Sequence, residues 1–162
     1  MLRLTVLLPL ILSLGLSVGA QAADTDAINL ADGNGLHIVS STQLDNRMMD
    51  VTFSSGALPF TATVRIVVPN GYAANSQRYP VLYLLHGGGG DHTQWTDLGA
   101  EQDTANTPVI LIQPDGGKGS WYADALVPGA DGWPLCETYI TTQLIPWVDA
   151  HLRTQNSRSA RA

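Results

Sequence analysis

Hydrophobic positions along this chain change their spacing twice, and each change predicts a different kind of element. Between residues 35 and 69, three runs are rich in β-branched residues and partly alternate apolar with polar positions: GLHIVSSTQLD (35–45), RMMDVTFSS (47–55) and FTATVRIVVP (60–69). Gly, Asn and Pro break them, so they predict antiparallel strands or a meander. The next two runs, PVLYLLH (80–86) and PVILIQP (108–114), are apolar almost throughout. That is the pattern of strands buried on both faces in a parallel sheet. Residues 93–106, TQWTDLGAEQDTAN, leave room between them for a short helix. In CETYITTQLIPWVDAHLR (136–153), Ile140, Leu144, Val148 and Leu152 recur at every fourth position, one apolar stripe of a helix. Pro146 removes a backbone hydrogen bond from that helix and predicts a bend. Strands followed by strand, helix, strand and helix predict an α/β sheet with helical crossovers, entered through an antiparallel edge. No repeat, low-complexity tract or linker divides it.

The first residues do not belong to this pattern. Arg3, an apolar run from Leu4 to Val18, and Ala20-Gln21-Ala22 are the three parts of a secretory signal. Residues 1–22 are therefore expected to be removed, leaving residues 23–162 as an exported protein, extracellular or periplasmic. The apolar run is shorter than the roughly 20 residues of a spanning helix and lacks basic residues at its far end, so no stable membrane insertion is expected after cleavage. A net charge of −6, with eight Lys and Arg spread along 162 residues, excludes nucleic acid as a partner. Cys136 is the only cysteine. It can form neither an intrachain disulfide nor a thiolate metal site, and reads as a small buried residue or as half of a bridge to a partner elsewhere.

Two glycine-rich loops, HGGGGDHTQW and DGGKGSWYAD, each follow one of the two parallel strands. Ligands of open α/β sheets sit at those carboxyl ends. Neither a Gly-Lys-Ser/Thr cradle nor a G-x-G-x-x-G fingerprint is present, so no nucleotide cofactor is expected. Asp91 and His92 are adjacent without a third ligand at helical or strand spacing, so no metal is expected either. His37 and His151 show no partner in the sequence. Four consecutive glycines carry a large entropic cost on ordering, which fits backbone brought close to something. A loop offering N–H groups to an oxyanion is the remaining reading.

The segments YPVLYLLHGGGGDHTQW, PVILIQPDGGKGSWYAD and CETYITTQLIPWVDAHL together resemble the putative-esterase family of α/β-hydrolases. That family includes feruloyl and acetyl-xylan esterases, S-formylglutathione hydrolases and the antigen 85 mycolyltransferases. The resemblance covers roughly residues 45–162. It implies an α/β-hydrolase fold in which the His-Gly-x loop supplies one N–H of the oxyanion hole. His86 and Gly87 match the His-Gly, so Gly88 is the implied oxyanion donor, with a backbone conformation expected to favour glycine. Gly87, Asp91, Trp95, Trp121 and Tyr122 are the implied substrate-binding residues. Asp124 is placed beside the cleft with them, and Trp133 is a further candidate for an aromatic platform. The substrate would be a small-molecule ester, or an ester of a polysaccharide or lipid.

The family's nucleophile elbow, G-x-S-x-G, is expected after the helix that ends near Leu152. Here the sequence reaches SRSARA, and its only G-x-S-x-G is Gly15 to Gly19, inside the leader. The triad acid and histidine follow the serine in this fold. The resemblance therefore implies the N-terminal part of a serine carboxylic-ester hydrolase, truncated before the nucleophile elbow and inactive by itself. A mycolyl-type acyltransferase and a non-catalytic secreted binding module are the alternatives. Ser120, His92 and Asp115 can be written as a triad, but no strained turn presents Ser120, which reads as a turn residue. His86 reads as a histidine that binds backbone around the glycine loop rather than as a general base.

Overall fold

A computed structural model describes residues 23–127 and 134–156; residues 1–22, read above as a leader, Trp133 and the last six residues lie outside the described residues. Five strands form one sheet: β1 (Leu36–Gln43), β2 (Met48–Ser55), β3 (Ala62–Val67), β4 (Val81–Tyr83) and β5 (Ile110–Pro114). Their spatial order is β1-β2-β3-β5-β4. β1, β2, β3 and β5 pair antiparallel in succession, and β4 pairs with β5 in parallel. The antiparallel entry and the parallel pairing of the two apolar runs are both as the spacing predicts. β5 is buried at every position, but β4 is buried only at Val81, and Leu85 beyond it is 38% exposed. The apolar run at 80–86 thus departs from the expectation of burial on both faces. β4 has a neighbour on one side only among the described strands.

The crossover from β4 to β5 carries two one-turn helices, α1 (Gln94–Asp97) and α2 (Ala100–Asp103), separated by Gly99 at φ +94°. The apolar stripe at 136–153 forms one helical run in three pieces: α3 (Cys136–Thr138), a π-helical segment (Tyr139–Leu144) and α4 (Ile145–His151). The widened segment ends at Leu144, two residues before Pro146, so the helical run is irregular next to the residue that lacks a backbone N–H. Ile140, Leu144, Val148 and Leu152 are all buried, as their spacing predicts. They pack on one sheet face, where Phe53 of β2 meets Trp147 edge-on at 4.9 Å. Such a pair adds about 0.5–1.5 kcal/mol to the burial of the rings.

The other sheet face carries a polar row. Asp50 of β2 lies opposite Arg65 of β3, which lies opposite Gln113 of β5. Arg65 donates to both Asp50 carboxylate oxygens at 2.8 and 2.9 Å. Thr96 of α1 donates its hydroxyl to Gln113 Oε1 at 3.1 Å. The crossover is thus seated on the sheet by hydrogen bonds, which fixes the loop between β4 and α1.

After α4 the chain turns back toward β4. Tyr79 N–H donates to Arg153 O and Gln155 N–H to Tyr79 O, both at 2.9 Å, and Thr154 bridges Tyr79 in parallel. Arg153 holds this return in place, its guanidinium 3.6 Å above the Tyr72 ring and bonded to Tyr72 O.

Candidate active site

The two glycine loops leave the carboxyl ends of the neighbouring strands β4 and β5, and the side chain of His86 joins them. His86 is buried; its Nδ1 lies 2.9 Å from Gly87 O and its Nε2 accepts the Gly116 N–H at 3.2 Å. A carbonyl only accepts and an amide only donates, so this pair of contacts fixes the Nδ1–H tautomer. Both ring nitrogens are in use, which makes His86 a bracket between loops. Asp115 Oδ1 is 3.5 Å from Nε2 but is itself bonded to Gly117 N–H at 2.8 Å.

The four glycines form a turn. Gly90 N–H donates to Gly87 O at 3.0 Å, and Gly89, third in the turn, has φ +80° while Gly88 does not enter the left-handed region. That is the type II pattern, which demands glycine at its third position. The conformational requirement therefore falls on Gly89, correcting the expectation for Gly88, whose Cβ would meet nothing within 4 Å. The amides before Gly88 are occupied. His86 N–H donates to Tyr122 Oη at 2.9 Å, and Gly87 N–H to Gln94 Oε1 at 2.6 Å. Among the described residues the Gly88 N–H has no protein acceptor.

Gly88 lines a cleft of about 200 Å³ together with Gly87, Trp121 and Tyr122 of the implied site. His86, Gly117, Gly119 and Ser120 also line it, and among the described residues the lining contains no Asp, Glu, Lys or Arg. Such a wall suits a neutral ligand, because no fixed charge has to be desolvated when one enters. Trp121 and Tyr122 both hold φ near +54°, a conformation costing roughly 1–2 kcal/mol for each side-chain-bearing residue. The result is a split: Trp121 stands 91% exposed at the rim, while the Tyr122 ring turns inward, edge-on to His86 at 5.4 Å. Burial pushes the Tyr122 phenol up to about 12. Glycine is required beneath it, because a Cβ at Gly116 would lie under 3 Å from the Tyr122 ring.

Other candidates stand elsewhere. Asp91 is not part of the cleft lining; its Oδ1 accepts Thr93 N–H and Oγ1, both at 2.8 Å, opening α1, and those bonds hold its carboxyl below the usual range. Trp95 is half-buried and also outside the lining, its Nε1 donating to Leu85 O at 2.9 Å and tying α1 to the end of the β4 segment. Asp124 accepts Thr138 Oγ1 at 2.7 Å and Thr138 N–H at 2.9 Å, fixing the start of the helical run rather than lining the cleft. Ser120 lines the cleft, but its Oγ accepts the Tyr122 N–H at 3.2 Å, as a turn residue does. His92 points to the sheet instead, 3.3 Å from Asp50 Oδ2, so Ser120, His92 and Asp115 form no triad. His37 and His151 do have partners: Asp32 at 3.1 Å, and Trp147 O at 2.8 Å with ring stacking. Cys136 is buried and donates its thiol to Gly116 O at 3.3 Å. Among the described residues no three His, Cys, Asp or Glu side chains converge as metal ligands, and no helix is long and apolar enough to cross a membrane.

Gln94 and the Asp50–Arg65–His92 group escaped the sequence reading. Gln94 lies seven residues beyond Gly87, on the first turn after the glycines. An amide side chain at the first helical position after a glycine run is the signal that could have marked it.

Known proteins resemble this arrangement in sequence and in fold. The model of the family described as Putative esterase matches residues 55–162. The chain is 37% identical over 139 residues to Esterase Rv1288 of Mycobacterium tuberculosis (strain ATCC 25618 / H37Rv), covering 83% of this chain and 30% of that protein. It thus spans under a third of the length of that curated relative. A ferulic acid esterase superposes with a TM-score of 0.62 at 24% identity, over 76% of this chain and 48% of the other. An S-formylglutathione hydrolase from Agrobacterium tumefaciens gives 0.54 at 20% identity, over 77% and 50%. These structures share the α/β-hydrolase fold with the present one. With the family model over two thirds of its length and its glycine loops folded around a cleft at the ends of β4 and β5, the chain belongs to the Putative esterase family.

Proposed function

We propose that this chain forms the oxyanion-hole part of an exported serine carboxylic-ester hydrolase. The observation that carries the reading is the row of three successive N–H groups after β4. Two are taken by side-chain oxygens, and the third, at Gly88, has no protein acceptor among the described residues and belongs to a residue lining a cleft whose described walls carry no charge. An ester carbonyl seated there would receive the Gly88 N–H as a serine Oγ adds to its carbon and negative charge gathers on its oxygen. Loss of one such donor costs roughly 2.7–4 kcal/mol of barrier. The alkoxy group then leaves with a proton, and water releases the acid from the serine.

The serine, the triad acid and the triad histidine are proposed to come from polypeptide outside residues 1–162. The return of the chain at Thr154, parallel to Tyr79 and next to β4, supports this reading, because a strand continuing from there would add to the sheet beside β4. The leader at residues 1–22 supports export. The exposed Trp121 at the rim favours an ester with an aromatic or long acyl group, by apolar contact.

The test compares the 162-residue chain with the longest polypeptide its reading frame encodes, using a fluorophosphonate probe and a series of p-nitrophenyl esters. The longer protein should be labelled at one serine beyond residue 162, and the shorter no more than its Ser120→Ala variant. Gly88→Val in the longer protein should lower kcat by about 10²-fold or more with its circular dichroism unchanged, since an added Cβ meets no atom within 4 Å while Gly88 itself lines the cleft. Labelling at Ser120, or a folded Gly88→Val enzyme with full kcat, would overturn the reading. Product analysis with a sugar alcohol as competing acceptor separates hydrolysis from acyl transfer.

A further inference from the structure

The His86–Gly87–Gly88 segment is held by two side chains from different parts of the chain. Tyr122, at the end of the second glycine loop, accepts the His86 N–H at 2.9 Å. Gln94, on the first turn of α1, accepts the Gly87 N–H at 2.6 Å. Gln94 also lies against Gly90, where a Cβ would be 2.9 Å from Oε1, so its amide group fills the inside of the glycine turn. Each peptide plane is shared by neighbouring residues. The Gly87 carbonyl shares its plane with the Gly88 N–H and is held by Gly90 N–H and His86 Nδ1, while Gln94 and Tyr122 hold the two peptide planes before it, so the Gly87–Gly88 peptide has little freedom to rotate. Without these contacts a run of four glycines would sample many orientations.

We propose that Gln94 and Tyr122 are positioning residues that aim the Gly88 N–H into the cleft, Gln94 from the crossover helix and Tyr122 from the second glycine loop. The inference rests on the oxyanion role of Gly88 put forward above. Tyr122 is well placed for this because it is immobilised. Its ring is wedged over Gly116 and edge-on to His86, and its own N–H is tied to Ser120 Oγ at 3.2 Å. Gln94 is held by the start of α1, whose Gln94 N–H donates to Asp91 O at 3.2 Å. Asp91 thus enters the site indirectly, by setting the helix turn from which Gln94 reaches back. Neither Gln94 nor the Tyr122 hydroxyl need touch substrate. Their effect is expected in the transition state, where the direction of the donor matters most, and not in ground-state binding.

The experiment has two independent readouts. In the 162-residue chain, amide hydrogen exchange of Gly87 and His86 is followed by NMR in Gln94→Met, Gln94→Glu and Tyr122→Phe. Methionine keeps the length of glutamine without an acceptor for an amide, glutamate keeps an acceptor, and phenylalanine keeps the ring. Exchange at Gly87 should rise by tenfold or more in Gln94→Met and stay within about threefold in Gln94→Glu; exchange at His86 should rise in Tyr122→Phe. In the longer esterase, Gln94→Met and Tyr122→Phe should each lower kcat by about tenfold or more with KM within about twofold; Gln94→Glu, which sets a carboxylate beside the developing oxyanion, serves only the exchange measurement. Unchanged exchange would remove the clamp itself. Faster exchange with unchanged kcat, or an effect on KM alone, would overturn its catalytic role. A parent enzyme that hydrolyses no ester refutes the esterase reading and this role with it, while the exchange data still report whether the two side chains hold the loop.

Discussion

Gly116→Ala isolates the packing that supports the cleft. The added methyl would sit 2.8 Å from Tyr122 Cδ1 and 3.0 Å from Cζ, with Cε1 closer still, where carbon atoms prefer about 3.5–4.0 Å. The ring must therefore retreat by roughly 1 Å, and it has little room, because its hydroxyl is held by His86 N–H and its backbone is already left-handed. Overpacking of this kind costs about 1–3 kcal/mol. Stretching or breaking the bond to His86 adds about 0.5–1.5 kcal/mol. Against this, Gly116 is not in the left-handed region, so alanine would gain about 0.4–1 kcal/mol by restricting the unfolded chain. The clash wins, and a net loss of about 1–3 kcal/mol is expected. Urea unfolding followed by circular dichroism and tryptophan fluorescence should show the midpoint falling by roughly 0.5–1.5 M, given a slope near 2 kcal/mol per M. The same substitution in a Tyr122→Ala background should be neutral or slightly stabilising, since its obstacle is gone. A Gly116→Ala protein as stable as its parent, or an equal loss in both backgrounds, would refute the wedge.

Acid should act through Asp50, whose burial opposes ionisation but whose bonds to Arg65 and His92 outweigh it and bring the carboxyl down to about 2. A carboxylate lowered in the folded state stabilises above its unfolded value near 4, and that contribution is lost as pH falls toward 2; Asp50→Asn should show a flatter acid limb in urea midpoints measured from pH 6 downward. Alkali should act through Tyr122, raised to about 12 chiefly by burial, so stability present below about pH 10 should decline between pH 10 and 12, and less so in Tyr122→Phe. Export should leave Ala23 as the first residue, its new ammonium on the nitrogen that already lies 2.9 Å from Asp26 Oδ2. Intact mass of the secreted protein checks this, and a chain starting beyond Asp24 would contradict it, because that buried carboxylate accepts the Gly71 and Ala73 N–H groups at 2.9 Å each.

The sheet's two halves, the buried stripe from Ile140 to Leu152 and the position of both glycine loops after parallel strands could be read from residue spacing. Burial periodicity is a local property: each residue's polarity reports which side of its own strand or helix faces the core. The halves of the site depend on contacts that spacing does not carry. Tyr122 meets His86 across 36 residues, and His92 turns to Asp50 on β2 instead of joining Asp91 in the cleft. The sequence offered Gly88 as the strained glycine, yet the type II turn closed between Gly87 and Gly90 puts that demand on Gly89. It offered Asp91, Trp95 and Asp124 beside the cleft, but their hydrogen bonds to Thr93, Leu85 O and Thr138, which tie the crossover and the helical run together, were not legible in it. Residue chemistry alone determined that this chain is an α/β sheet with backbone donors gathered at the ends of its parallel strands. Which donor stays free was decided only by the tertiary fold, because a hydrogen-bond partner is chosen by proximity and angle, and those are set when distant segments pack together.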